Sequence, residues 1–460
     1  MLHVKSSSWF FLLVLFLTFA AHSQTDTGAW RVLPNSPLAP SNHGDRHDDV
    51  FFVNPLTGWV VNLDGKIYKT TDGGESWVQQ LDARTALGYD VLFRSVGFAN
   101  EQIGWAGNIN FTNRPDPTRV LFETRNGGLT WTDISHRISG SPPGGLCGIW
   151  VVNEKFIYAV GRYALGSSHF IKSADGGLTW TAKDMRAFAS PLIDVYFFDE
   201  NTGLAIGGTK LEMWEDLNTI RGVVLMTTDG GETWQARHTT NNIKEYGWKI
   251  SFPTRNTGYV SMESGERAIV LKTTDGGLTW QEIQIENHSG ISGIGFVTEQ
   301  IGWTGGHGAI SFMTADGGVT WRAAGFGENI NRFRLLGDTL GYAVGKRVYK
   351  YTRSKPTGVN ASVKFPLSFK LLQNHPNPLP AHSFTSIVFE IAENAQVDLA
   401  IFDLMGRRIK TLAHGFTTAG THKILWEGAN DLGKMTSPGV YIYRLRTGKF
   451  IQSRKLVLLP

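Results

Sequence analysis

Six stretches of this sequence set an acid or amide ahead of two glycines, a hydroxyl residue and a tryptophan. They centre on Asp72, Asn126, Asp175, Asp229, Asp275 and Asp316, each followed by Gly-Gly-x-Ser/Thr-Trp. Carboxylates in such loops could serve as general acids or bases, or as calcium ligands. Turn chemistry already accounts for every residue type in the pattern. The Asp side chain accepts from backbone N–H groups just ahead of it, the glycines supply positive φ, and the tryptophan plugs the loop from below. Asn126 keeps the acceptor and loses only the charge. Six copies of one site fit a repeated fold better than an active centre. A structural role is therefore expected for all six, and no catalytic residue is assigned.

The stretches need elements to carry them. Each follows a β-rich run such as Lys66-Ile67-Tyr68-Lys69 and leads into another such as Trp77-Val78-Gln79-Gln80, so each is a hairpin turn. The repeat is larger than its turn. From Asp49 the chain reads strand, short turn, Gly58-Trp59 strand, then a third strand into the turn. The frame recurs from Ser95, Gly148, Asp194, Lys249, Gly293 and Arg332, giving seven units. Val50 and Phe52, or Ile294 and Phe296, alternate as a strand that buries one face against a neighbour. Asp175, Asp229, Asp275 and Asp316 are spaced by 54, 46 and 41 residues, which suits a four-stranded blade with variable loops. The seventh unit stops at Arg347–Tyr351 without a turn of this type, while Gly28–Leu33 stands alone at the other end. The N-terminal segment is expected to supply the missing outer strand and close the ring.

The turn resembles the Asp-box of sialidase-type β-propellers. Across Asp49 to Tyr351, the recurring aromatic strand, Gly-Trp and Lys-Thr-Thr-Asp-Gly-Gly-x-Thr-Trp resemble the seven-bladed photosystem II assembly-factor type. The resemblance implies a non-catalytic binding propeller. Sialidase chemistry would need an arginine cluster, a tyrosine nucleophile and an acid, and that family's early Arg-Ile-Pro-like motif is missing. Xyloglucanase-like hydrolases also use Asp-box blades, but pair two propellers.

Within such a ring, Asp49, Arg94, Asp194, Lys249 and Arg332 begin successive first strands near the channel mouth. They could hold a sugar, a peptide or a charged group, or neutralise one another around water. Long loops on one face carry Arg84, Tyr89, Arg114, Arg137, Arg162, Tyr163, Arg186, Trp214, Arg221 and Tyr246, against short, partly acidic loops opposite. One binding face follows from that asymmetry; ordinary solvated loops are the plainer reading. His43 to Asp49 alternates imidazoles and carboxylates, but no second cluster completes a coordination shell, so no metal or cofactor is expected. Cys147, the single cysteine, reads as buried rather than nucleophilic and excludes an intrachain disulfide.

Charge is unevenly placed. Residues 24–364 hold 32 Lys and Arg against 34 Asp and Glu, whereas residues 365–460 hold 11 against 6. Bulk charge therefore does not imply a propeller that binds nucleic acid or another polyanion. Residues 1–23 read as a signal peptide: Lys5, an apolar run from Trp9 to Ala20, and Ala21-His22-Ser23 before cleavage. No other stretch is apolar enough to span a membrane. The expected plan is all-β: a seven-bladed propeller over 24–355, a linker over 356–368, and an Ig-like β-sandwich over 369–460.

In that last part Leu372 to Pro378, Ile401 to Arg407, Gly439 to Arg444 and Lys455-Leu456-Val457 resemble the C-terminal sorting domain of type IX secretion cargo. The resemblance implies outer-membrane secretion machinery as a partner, with Lys455, Leu456 and Val457 as the sorting residues. Departures are His375 for an aromatic, Leu379-Pro380 for Phe-Asn, and Pro460 at the end. The function expected is an exported, non-enzymatic scaffold with a protein- or glycan-binding face, at the cell surface or in the medium. The alternative is a polysaccharide-active glycoside hydrolase or lyase, which would need two placed carboxylates.

Overall fold

The computed structural model describes residues 28–39, 45–109, 119–140, 143–162, 168–209, 218–285, 288–308, 311–353, 369–380, 385–391, 395–417, 420–431, 434–448 and 450–459. The expected signal peptide and linker lie outside them. Seven antiparallel-based sheets carry the first part of the chain, each led by an inner strand: His47–Phe52, Phe93–Phe98, Gly148–Val151, Leu192–Phe197, Tyr246–Ser251, Ile291–Phe296 and Arg332–Leu336. Each inner strand touches the next, and the last touches the first, so the sheets form a closed ring of blades. Six blades have four strands. The third has a fifth, Ile138–Gly140, lying parallel to Trp180–Asp184.

The seventh blade takes its outermost strand from the start of the described chain. Ala29–Val32 pairs antiparallel with Val348–Thr352, with Trp30 opposite Tyr351. Trp30 also packs on Phe326 at 4.8 Å, Phe333 at 5.4 Å and Trp303 of the sixth blade at 5.5 Å. Closure thus joins the two ends of the ring by a ladder and an aromatic cluster.

Repeated aromatic contacts explain the Gly-Trp pattern. In five blades a Phe at the end of the inner strand, or just after it, lies over the glycine that starts the second strand. A Cβ at Gly58, Gly104, Gly203, Gly258 or Gly302 would come within 2.6 Å of that ring. The residue after the glycine then stacks on the next blade's Phe: Trp59 on Phe98 at 3.5 Å, Tyr259 on Phe296 at 3.4 Å. Tyr342 of the seventh blade stacks on Phe52 of the first at 3.5 Å, completing the circle. Each blade is covered on both sides. Inner strands such as Phe93–Phe98 and Ile291–Phe296 are therefore buried on both faces, not only on the alternating one expected from period two.

The remainder forms a three-stranded sheet, Lys370–Leu371, Thr385–Ile391 and Gly420–Trp426, and a four-stranded one, Arg408–Thr417, Ala395–Phe402, Gly439–Thr447 and Phe450–Leu458. Ile387 and Phe389 from one sheet share a core with Val397, Leu399, Ile401, Tyr443 and Leu456 from the other. Among the described residues no helix is long and apolar enough to cross a membrane.

Candidate functional site

The box side chains are spent within their own turns. In the fifth box Asp275 Oδ1 accepts from Thr279 N at 2.9 Å and Oδ2 from Thr279 Oγ1 at 2.6 Å. Thr273 Oγ1 donates to Asp275 Oδ1 at 2.8 Å and accepts from Gly277 N at 3.0 Å. The same bonds recur at Asp72, Asp175, Asp229 and Asp316. Asn126 keeps the Oδ1 contacts, to Thr130 N at 2.9 Å and Thr124 Oγ1 at 3.1 Å. The small burial of Asp275 pushes its carboxyl up, but the Thr279 and Thr273 bonds outweigh it and pull it to about 2. A carboxylate this far below the working range of a general acid, with its oxygens engaged, is a turn former.

The hydroxyl residue two positions before each Asp was not singled out from the sequence; its period-two place in the third strand hid it. The lysine before the boxes links blades. Lys69 Nζ donates to Gly127 O at 2.9 Å and Lys272 Nζ to Gly317 O at 2.7 Å, each the first glycine of the next box.

The five first-strand residues meet in the centre of the ring, not at an open mouth. All are less than 10 % exposed. Arg332 reaches across the ring to Asp194 of the fourth blade with a bidentate pair at 2.8 and 2.9 Å, and its Nε stands 3.0 Å from Asp49 Oδ1. Asp49 also accepts from Val50 N and Val96 N, and Asp194 from Ile250 N at 3.1 Å. Burial opposes the charge of Arg332, yet Asp194 and Asp49 outweigh it and hold its pKa above the ordinary value. Burial likewise pushes Asp194 up, and Arg332 and Lys249 overcome it to hold the carboxyl below the usual range. Four of the five are thus accounted for by ion pairing, since Arg94 Nη1 bonds Asp48 Oδ1 at 3.0 Å. Lys249 is the exception: its Nζ is buried without a hydrogen-bond partner.

A β-bulge explains what the sequence spacing hid. In five inner strands one extra residue is inserted against the second strand: Asp48, Arg94, Ile193, Trp248 and Ser292. Cys147 and Asn331 take the same place, bonding Val160 O and Val344 O. A bulge re-aims its side chain, and here it turns these residues toward one another. Trp248 Nε1 donates to Asn331 Oδ1 at 2.8 Å, Asn331 Nδ2 donates to Asp48 O at 2.6 Å, and Arg94 lies 4.8 Å over the Trp248 ring. Leu63, Leu92, Ile109, Cys147 and Ile193 surround Trp248 as an apolar plug. The centre is sealed. Cys147 is fully buried within this plug, as its neighbours suggested.

On the other candidates, His47 is buried, with Nε2 3.0 Å from Pro37 O, and burial pushes its pKa down to about 4. Among the described residues no group of three or more His, Cys, Asp or Glu is placed to hold a metal; His43 lies outside them. The long-loop set does not stay together. Arg84 and Arg186 are exposed and pair with Asp90 and Asp184 of their own loops. Arg137 instead joins Glu123 at 3.0 Å and Gly177 O at 3.1 Å in the third box, away from the long loops. Arg221 bonds the backbone of Thr240, and Tyr246 packs on Trp248 at 5.7 Å. Arg114, Tyr163, Trp214 and the side chain of Arg162 lie outside the described residues. Lys455, Leu456 and Val457 sit in the last strand of the sandwich. Leu456 is in the core, while Lys455 O and Val457 N bond the Gln373–Asn377 segment.

A family model described as photosynthesis system II assembly factor YCF48 matches residues 217–325. No curated protein matches the chain. Among solved structures, YCF48 from Cyanidioschyzon merolae is similar at 18% identity and a TM-score of 0.51, over 70% of this chain and 99% of that one. The GH74 xyloglucanase from Xanthomonas campestris is similar at 11% identity and a TM-score of 0.51, over 92% of this chain and 75% of that one. The GH74 enzyme of Niastella koreensis is similar at 13% identity and a TM-score of 0.50, over 91% and 74%. At these identities the likeness is one of fold: the chain is an all-β propeller related in architecture both to YCF48 and to the GH74 enzymes.

Proposed function

We propose that this chain is an exported, non-enzymatic propeller scaffold that presents a protein- or glycan-binding face, delivered to the cell surface or medium by its C-terminal sandwich. The observation that carries the non-enzymatic part is the state of the carboxylates. Those of the boxes are engaged by their own turns, and Asp49 and Asp194 are sealed under Arg332. A hydrolase needs two carboxyl groups facing one groove with room for a sugar between them, and these seven offer neither groove nor free oxygens. The family match over 217–325 supports the same reading. Support for export comes from the N-terminal apolar run and from the sorting-type motifs.

Binding falls to the long-loop face, because the box face is committed to blade-to-blade contacts through Lys69, Lys172, Lys272 and Lys350. A screen of the mature chain, by affinity electrophoresis in polysaccharide gels and by biosensor against purified outer-surface glycans and proteins, tests this. Saturable binding that is reduced by joint substitution of Arg84 and Arg186 is the expected result. Saturable binding untouched by that substitution, or none across the screen, would contradict it.

A further inference from the structure

On the outer rim of the ring, in the seam between blades five and six, lies a half-open pocket of about 380 Å³. One wall is Gln284 and Ile285, at the end of the outer strand of blade five. The facing wall is Arg322 and Ala323, which make up the whole outer strand of blade six. Phe312, Trp321 and His288 also line it, with the His288 ring 4.3 Å from Phe312. Small-ligand sites enclose ~300–1,000 Å³ and set a few polar groups against a carbon surface, and this pocket sits at the lower end of that range.

Trp321 is fixed before any ligand arrives. Its Nε1 donates to Gly318 O at 3.1 Å, and its ring meets Phe296 edge-on at 6.1 Å. The half-buried indole therefore offers the pocket carbon and no hydrogen bond. Thr320 is likewise spent, on Asp316. The polar side chains left are Gln284, His288 and Arg322. Among the described residues Gln284 has a single 3.4 Å contact, from Arg267 Nη1, and His288 has its contact with Phe312. Arg322 is exposed and has no carboxylate within ion-pairing distance among the described residues. No acidic residue lines the pocket. The repeat does not demand this arginine either. The residue after the box tryptophan is Val78, Thr132, Thr181, Gln235 or Gln281 in the other five copies.

An unpaired guanidinium beside a carbon surface favours a ligand that carries a carboxylate, which its planar fork can hold at two points. Gln284 and His288 add donors and acceptors suited to neighbouring hydroxyls. A ring with C–H groups on its face, hydroxyls around its edge and a carboxylate is a hexuronic acid. An extended peptide would need a strand edge to pair with, and blade six offers only Arg322 and Ala323 there. We infer that this seam binds a hexuronic acid residue of an acidic polysaccharide, with the sugar ring against Trp321 and the carboxylate on Arg322. The site extends glycan binding to the rim and does not rest on the long-loop face.

Calorimetry and saturation-transfer NMR of the full chain with a galacturonic acid trimer give the test. Saturable binding is expected, with transfer strongest at the ring C–H protons. Arg322→Thr installs the residue of the second and third boxes, so it should keep the melting midpoint and weaken binding about tenfold or more. Gln284→Ala, at an exposed position, should weaken it by a smaller factor. Reducing the trimer's carboxylates to the neutral sugar should weaken binding as Arg322→Thr does. Joint substitution of Arg84 and Arg186 should leave it unchanged, which separates this site from the long-loop face. No saturable binding, equal affinity for the neutral trimer, or unchanged affinity in Arg322→Thr would overturn the assignment. So would loss of binding in the Arg84 and Arg186 variant, or binding of a glutamate-rich peptide in place of the sugar.

Discussion

At the scale of single residues the repeated acids and the central ones are both structural, but by opposite physics. Asp275 is exposed and works through short hydrogen bonds to Thr279 and Thr273. Asp275→Ala should cost about 1–2 kcal/mol in urea unfolding. Asp275→Asn should cost less than half of that, because Asn126 shows the amide making the same Oδ1 contacts. Asp72, Asp229 and Asp275 are held at about 2 in the fold, below an unfolded value near 4. A depressed carboxylate stabilises the fold above its unfolded pKa and loses that contribution as pH falls through the folded one. Stability should therefore fall between about pH 4 and pH 2, and more gently in a chain with these three replaced by Asn. Arg332 acts in the opposite regime. Arg332→Ala strands Asp194 and Asp49 in a dry centre and should cost about 3–5 kcal/mol. The box chemistry was legible because Asp, Gly, Gly and Trp are each demanded by one local turn. The pairing of Arg332 with Asp194 was not, since 138 residues separate partners that only ring closure brings together.

At the scale of elements, closure by the N-terminal strand is the feature most open to challenge. Trp30 fills a pocket made by Trp303, Phe326, Phe333 and Tyr351, so Trp30→Ala should cost about 2–4 kcal/mol. Removing residues 25–33 should expose the Val348–Thr352 edge and lower the melting midpoint or cause aggregation. Melting unchanged from the parent would show that the strand is dispensable. This strand could be read from the sequence because a unit lacking its fourth strand and an orphan strand at the other end make one inference. The bulges could not. A single extra residue such as Trp248 leaves the apolar pattern of its strand intact while turning one side chain into the centre. The sequence therefore placed Asp49, Arg94, Asp194, Lys249 and Arg332 near the channel mouth, as ligand-binding or mutually neutralising residues, where the fold has a plug.

At the scale of the whole molecule, two kinds of statement join. The propeller is an observed architecture; export by the sandwich is a proposal. In a host with type IX machinery the full chain should reach the surface or medium, while a chain ending at Lys355 should stay folded in the periplasm. Equal amounts of the truncated protein outside the cell would remove the sorting role from Lys455, Leu456 and Val457. The central claim is that this fold, shared in outline with an assembly factor and with GH74 enzymes, is used here for binding and not for cleavage. The most direct measurement is reducing-end release from a polysaccharide the protein demonstrably retains, xyloglucan and other β-glucans first, over a long incubation at high protein concentration. The account predicts retention with release no greater than that of a heat-denatured control. Release that grows linearly with time and with protein concentration would contradict it.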